Sequence, residues 1–163
     1  SMGGRIARNV ALRAPERVRS LVLISTNPGF DALSSDRVMQ FVTERRTRTP
    51  QTLKQLLGSS ANHAAYEELL DSVSRIHEAS YQKTLEASVA QDRAAPIENI
   101  RVPTLVIAGE EDTVYPPELA AEMAQRIPGA ELLMLSRTGH LANLEQPDKF
   151  NQAVFDFLSR HRA

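Results

Sequence analysis

Three residues of this sequence carry the side chains that nucleophilic hydrolysis requires. Ser1 stands directly before "MGGRIARNVALR", Asp112 lies within "GEEDTVYPP", and His140 lies within "RTGHLANLEQP". An imidazole can remove the proton of a serine hydroxyl, and a carboxylate can hold that imidazole in the required tautomer. The sequence has no cysteine, so a thiol nucleophile, a disulfide and a thiolate metal site are excluded. These residue types are therefore candidates for nucleophilic chemistry.

Asp112 and His140 each follow a short apolar run of the kind that forms a buried strand. "TLVIAG" (Thr104–Gly109) precedes Asp112, "AELLMLS" (residues 130–136) precedes His140, and "SLVLIS" (residues 20–25) predicts a third strand. Continuous apolar runs of this length are typical of parallel strands that are covered on both faces. Because parallel strands end at the same edge of a sheet, we expect Asp112 and His140 to meet there.

The first predicted helix covers residues 2–14, and Pro15 ends it. Its apolar residues recur at helical spacing, and its small side chains would let the helix lie close to a sheet. The predicted sheet-facing side consists of Ile6, Val10 and Ala14, with Ala7 and Ala11 beside them.

Two later helices begin at prolines, which favour the first helical position. One begins at Pro116 and Pro117, and the other begins at Pro147. Their predicted core residues are Leu119, Met123, Ala124 and Ile127 in the first, and Phe150, Val154, Phe157 and Leu158 in the second. Strands that alternate with helices predict right-handed crossovers and a parallel sheet.

Residues 34–92 show no strand pattern and predict a helical cap inserted between two core segments, residues 1–33 and 93–163. The second of four predicted helices covers residues 49–58, with Thr49 as N-cap, Pro50 at the first position and Gly58 at the end. The apolar positions of the others are Val38, Met39 and Val42; Tyr66, Leu69, Leu70, Val73 and Ile76; and Tyr81, Leu85 and Val89.

Composition indicates an ordinary globular protein, with 42% hydrophobic residues, a net charge of −1 and a pI of about 6.4. Such a charge predicts no nucleic-acid or membrane partner, and a cytoplasmic location is the default expectation. We also expect no metal or other cofactor. The consecutive acids Glu110, Glu111 and Asp112 could attract a hard cation but are poorly placed to converge on it, and no G-x-G-x-x-G motif is present.

The whole chain resembles the C-terminal part of an α/β-hydrolase. "SMGG" matches the end of the G-x-S-M-G-G nucleophile elbow, "RVPTLVIAGEEDTVYPP" resembles the acid-bearing strand and loop, and "GHLANLEQPDKF" resembles the histidine loop and final helix. The order Ser, Asp, His is the order of that family. Within the family, "HLANLEQP" is similar to the corresponding loop of 3-oxoadipate enol-lactonases and related ester and lactone hydrolases.

The resemblance implies half of an α/β-hydrolase fold: a short parallel sheet with flanking helices and a helical cap. It implies that Ser1 is the nucleophile, His140 the general base and Asp112 its orienting acid, with the backbone N–H of Met2 as one oxyanion donor. The implied substrate is a small-molecule ester or lactone. The family's strands before the elbow and its second oxyanion donor have no counterpart here, so we expect weak or no turnover by this chain.

Competing interpretations remain for each residue and for the chain. Ser1 could be a cloning remnant before an initiator Met2, Asp112 one of three exposed turn acids, and His140 an ordinary loop histidine. An N-terminal-nucleophile enzyme conflicts with the parallel pattern. The alternative function is a non-catalytic fold fragment. Its strand "SLVLI" would form an apolar sheet edge, which predicts a homodimer or higher assembly through that edge or through an exchanged helix.

Overall fold

The fold centres on a small parallel sheet. The computed structural model describes residues 1–29, 49–91 and 96–161. Within these ranges the strands are β1 (Leu21–Ile24), β2 (Thr104–Gly109) and β3 (Glu131–Leu135). All pairings are parallel, and the order β1-β2-β3 places β2 in the middle. The predicted α/β fold with a short parallel sheet is therefore confirmed.

Seven α-helices accompany the sheet in the same ranges. They are α1 (Met2–Arg13), α2 (Pro50–Lys54), α3 (His63–Ser74), α4 (Glu78–Gln91), α5 (Pro117–Arg126), α6 (Ala142–Glu145) and α7 (Pro147–Arg160). The short helix α6 was not predicted, because four residues are too few to show a helical period. None of these described helices combines the length and the apolar character needed to cross a membrane.

Local chemistry explains where several helices begin. The Thr49 side chain accepts a hydrogen bond from the Thr52 backbone N–H at 3.2 Å, which caps α2 as predicted. The Asn62 side chain caps α3 in the same way, through the Ala65 N–H at 2.9 Å. Prolines occupy the first positions of α2, α5 and α7. A backbone N–H at this position has no acceptor within the helix, so the missing N–H of proline costs no helical hydrogen bond.

The core lies on both faces of the sheet. On one face, β1 and β2 pack against α1 and α5 through a cluster of ten buried residues that includes Leu23, Val106 and Met123. On the other face, Ile107 of β2 packs against Phe157 of α7. Strand β2 is buried along its whole length because it is the middle strand and both faces are covered.

The predicted sheet-facing side of α1 is wrong. Ile6 and Val10 are 57% and 46% exposed, whereas Arg5, Arg8 and Ala11 are buried. The helix is rotated because the Arg8 guanidinium donates a 2.7 Å hydrogen bond to the carbonyl of Asn27, in the turn that follows β1. A buried arginine needs such an acceptor, and hydropathy along one helix cannot reveal an acceptor on another segment.

Three smaller expectations are also corrected. Helix α2 ends at Lys54 rather than Gly58, because residues 55–60 turn away to bond with other loops. Helix α3 ends at Ser74, which leaves Ile76 outside it and 43% exposed. Leu158 is 38% exposed on α7.

The structure describes residues 49–91 of the predicted helical cap. The second, third and fourth predicted helices are present there as α2, α3 and α4, and no strand occurs in residues 49–91. The predicted helix around Val38, Met39 and Val42 lies outside the described residues. The division into a core of residues 1–33 and 93–163 and a cap of residues 34–92 stays a prediction.

Candidate active site

Asp112 and His140 meet at the edge of the sheet where β2 and β3 end. The Oδ2 atom of Asp112 lies 2.9 Å from Nδ1 of His140. Their side chains are 0% and 8% exposed, so this contact is shielded from water. The contact that the strand order predicts is therefore present.

The carboxylate of Asp112 is held through both of its oxygens. Its Oδ1 atom accepts hydrogen bonds from the backbone N–H groups of Val114 at 2.8 Å and Tyr115 at 3.0 Å. Because Oδ1 is engaged in its own turn, Oδ2 is directed at His140. The neighbouring Glu110 and Glu111 are exposed, and Glu111 instead accepts from the backbone and hydroxyl of Ser59.

The imidazole of His140 is oriented by three neighbours. Its Nδ1 donates to Asp112 in the tautomer that a carboxylate partner requires, which leaves the Nε2 lone pair available to accept a proton. Its ring lies 5.8 Å from the ring of Tyr115, at an interplanar angle of 57°. Its backbone N–H donates to the carbonyl of Leu56 at 2.8 Å. A buried histidine with one nitrogen engaged is suited to general-base catalysis.

Ser1 lies at the N-terminus of α1, next to the end of β1. Its ammonium group donates a 2.6 Å hydrogen bond to the carbonyl of Ile24. Although Ser1 as a residue is exposed, desolvation lowers the pKa of this ammonium to about 6, while the charge of Asp112 acts in the opposite direction. Among the described residues, no hydrogen bond joins the Ser1 hydroxyl to His140.

Met2 is the first residue of α1, and its backbone N–H belongs to the first turn of that helix. The N–H groups of a first turn have no partner within the helix, and the helix dipole favours negative charge beside them. The carbonyl of Ser1 accepts from Gly4 N–H at 3.0 Å, which shows that the helix begins at this point. The expected oxyanion donor therefore lies where a helix start can supply it.

Sequence reasoning missed one buried side chain beside the site. Glu145, at the end of α6, is 7% exposed and accepts hydrogen bonds from the backbone N–H groups of Gly58, Gly139 and Leu141. One of these partners is 87 positions away along the chain. No local pattern carries that information, so Glu145 was visible only as part of the motif that follows His140.

The described histidines other than His140 lie outside this site. The His63 side chain is 85% exposed, and the His161 ring packs on Phe157. In the part of the chain that is described, no group of three or more histidine, aspartate or glutamate side chains could hold a metal ion.

A profile described as "Alpha/beta hydrolase family" matches residues 1–153. The chain belongs to the alpha/beta hydrolase family. The predicted resemblance is confirmed, and the sheet, the strand-end loops and the flanking helices are part of an α/β-hydrolase fold.

Individual relatives are hydrolases that are longer than this chain. A pimeloyl-[acyl-carrier protein] methyl ester esterase of Nitrosospira multiformis is 33% identical over 96% of this chain and 65% of its own length. A 2-hydroxy-6-oxononadienedioate/2-hydroxy-6-oxononatrienedioate hydrolase of Burkholderia vietnamiensis is 31% identical over 98% of this chain and 60% of its own length. This alpha/beta hydrolase chain therefore spans less than two thirds of these relatives.

A solved structure supports the likeness to lactone hydrolases. The enol-lactonase from Burkholderia xenovorans LB400 matches with a TM-score of 0.79 and 27% identity, covering 98% of this chain and 63% of that one. The enol-lactonase resemblance that "HLANLEQP" indicates is thus accompanied by a shared fold over nearly all of this alpha/beta hydrolase chain.

Proposed function

We propose that this site hydrolyses a small ester or lactone by acyl transfer through Ser1. The observation that carries the proposal is the buried 2.9 Å contact between Asp112 and His140, which leaves one imidazole nitrogen free to act as a base. Ser1 begins α1 and donates to the carbonyl of Ile24 at the end of β1, so the nucleophile would lie at the same edge of the sheet.

The first half of the reaction forms an acyl-enzyme. The Ser1 Oγ atom attacks the carbonyl carbon of the substrate while Nε2 of His140 removes the hydroxyl proton. The negative charge that develops on the carbonyl oxygen is stabilised by the Met2 N–H at the start of α1. When the intermediate collapses, the bond to the leaving oxygen breaks, and the His140 imidazolium returns its proton to that oxygen.

The second half releases the acid product. His140 removes a proton from water, which attacks the acyl carbon, and the bond to Ser1 Oγ breaks as the proton passes to that oxygen. Throughout both halves, Asp112 stabilises the imidazolium that forms on His140 and holds its orientation. The two amide bonds to Oδ1 of Asp112 keep the carboxylate in place during these steps.

The substrate class follows from the relatives rather than from the site alone. Their names describe a methyl ester esterase, a hydrolase and an enol-lactonase. We therefore propose ester or lactone hydrolysis as the reaction of this site. The chain spans 60% to 65% of the two curated relatives, so this activity is proposed for the whole protein. We propose that turnover by these 163 residues is slow, because among the described residues we assign one oxyanion donor, the Met2 N–H. Removal of one donor from such a site typically weakens transition-state stabilisation by about 2.7–4 kcal/mol.

Hydrolysis of p-nitrophenyl acetate tests the proposal. We expect slow release of p-nitrophenol that disappears in His140→Ala. The control is His63→Ala, which removes a histidine whose side chain is 85% exposed and which should leave the rate unchanged. Equal rates in the wild-type chain and in His140→Ala would contradict the proposal.

Self-association through the sheet edge is the second candidate function. The observation that favours it is that β1, the apolar sequence Leu21–Ile24, lies at one edge of the described sheet and pairs only with β2 there. An apolar edge strand can add a strand from a second copy along its open side. Size-exclusion chromatography with light scattering should then show a homodimer or larger assembly, and a monomer at high concentration would contradict it.

A further inference from the structure

The backbone around His140 is held by a carboxylate that the proposed chemistry does not use. Glu145 is buried, and its carboxylate accepts from Gly139 N–H at 3.0 Å and from Leu141 N–H at 3.3 Å, on either side of His140. We propose that Glu145 is a positioning residue that holds His140 against Asp112. This inference rests on the proposed function of that pair.

The same carboxylate reaches a second segment of the chain. Its Oε2 atom accepts from Gly58 N–H at 2.7 Å. Gly58 belongs to residues 55–60, which follow α2 and which we call the strap. The strap is also hydrogen-bonded directly to residues 139–141, which we call the histidine loop. The Leu56 carbonyl accepts from the backbone N–H of His140 at 2.8 Å. The three consecutive N–H groups at positions 139, 140 and 141 are therefore all engaged by Glu145 or by the strap.

The strap and the histidine loop lie in direct backbone contact. A Cβ atom added to Gly58 would lie 2.5 Å from the Gly139 nitrogen, and one added to Gly139 would lie 2.5 Å from the Gly58 nitrogen. Two N–H groups so close together both need acceptors, and the carboxylate of Glu145 supplies them. The loop cannot shift at Gly139 without moving the strap, so the backbone position of His140 depends on Glu145.

A carboxylate suits this place better than a neutral side chain. Ionised glutamate only accepts hydrogen bonds, whereas the amide of glutamine has an NH₂ group that would point at an N–H donor. A buried donor without an acceptor is strongly unfavourable, so the loop would move to find one. Because the side chain of His140 leaves from the middle of this loop, its contact with Asp112 would loosen.

Nuclear magnetic resonance of the ¹⁵N-labelled chain tests this with Glu145→Gln. We expect the Nδ1–H resonance of His140 to be lost through exchange with water. We also expect amide exchange at Gly58 and Gly139 to accelerate about tenfold or more, while exchange at Val106 in β2 stays unchanged. The matched control is Glu122→Gln, the same change on α5, where Glu122 pairs with Arg126 away from the site.

A retained His140 Nδ1–H resonance in Glu145→Gln would overturn the proposal. So would acceleration that is equal at Gly58, Gly139 and Val106, since that would show only a general loss of stability. If Glu145→Gln does not fold, Glu145→Asp decides by the same readouts, because it keeps the charge but is one methylene too short to reach both loops. Neither readout needs turnover, so failure of ester hydrolysis would contradict the proposed function and leave this result interpretable.

Discussion

Two carboxylates are buried among the described residues, and both serve the histidine loop. Asp112 accepts from His140 and from two backbone N–H groups, and Glu145 accepts from three. A buried carboxylate is tolerated only when its oxygens are well bonded. Glu131, by contrast, is largely exposed and pairs with Arg160 at the surface. The two buried acids are therefore the ones whose replacement should matter.

Replacing Asp112 should show that one side chain performs two tasks. In Asp112→Ala, the N–H groups of Val114 and Tyr115 lose their acceptor, which destabilises the fold by about 1–3 kcal/mol for each. Asp112→Asn keeps an acceptor oxygen for those groups, so its free energy of unfolding should be much closer to that of the wild-type chain. Urea denaturation measures the difference, and equal stability of the two variants would argue against the turn-holding role.

Sequence alone predicted Asp112 and His140 because each follows a strand in a parallel pattern. Asp112 was preferred over Glu110 and Glu111 because it lies after a strand and before Pro116 and Pro117. In the structure Asp112 is buried and both glutamates are exposed. Glu145 could not be predicted in the same way. Its partner Gly58 lies in a distant loop, and only the folded backbone brings them together.

The orientation of helix α1 depends on contacts with residues outside the helix. Hydropathy places Ile6 and Val10 inside, whereas in the structure both are exposed and Arg5 and Arg8 are buried. The contact that decides the orientation is tertiary: Gly4 lies against Thr26, and Arg8 bonds to the carbonyl of Asn27. The predicted helix and its end near Pro15 were correct because those depend on local residues.

The adjacent glycines of α1 should respond oppositely to alanine. A Cβ atom at Gly4 would lie 2.8 Å from Thr26 Cγ2, whereas one at Gly3 would have nothing within 4 Å. We expect Gly4→Ala to destabilise the fold by about 1–3 kcal/mol through overpacking. Gly3→Ala should stabilise it by about 0.5–1 kcal/mol through helix propensity. Thermal unfolding compares the two, and destabilisation of equal size would contradict the contact with Thr26.

Acid should weaken the hydrogen bonds between Glu111 and Ser59 of the strap. Hydrogen bonds from the Ser59 backbone and hydroxyl lower the pKa of Glu111 below its ordinary 4.5. A lowered carboxyl pKa stabilises the fold above about pH 4.5, and this contribution is lost as the pH falls through the lowered value. The Ser59 amide resonance should therefore shift with acid below pH 4.5. A Ser59 resonance that shifts in the same way in Glu111→Gln would contradict the assignment.

At the scale of the whole molecule, the sheet brings distant segments to one edge. Asp112 and His140 follow β2 and β3, and Ser1 begins α1 and donates to the carbonyl of Ile24 at the end of β1. Parallel pairing places the ends of these three strands side by side. That arrangement was predictable because strand–helix alternation has few solutions. The attachment of residues 55–60 to the loops that follow β2 and β3 was not predictable. It depends on the backbone contacts of Gly58 and on the hydrogen bonds of Glu111 and Glu145.

Labelling with a fluorophosphonate tests most directly whether the pair of Asp112 and His140 activates Ser1. The serine oxygen bonds to phosphorus, fluoride leaves, and His140 accepts the hydroxyl proton. Mass spectrometry of the digested chain should locate a single phosphonyl group on the peptide that contains Ser1, with labelling abolished in His140→Ala. Labelling of Ser1 at the same rate in His140→Ala, or no labelling of Ser1 in the wild-type chain, would contradict the account.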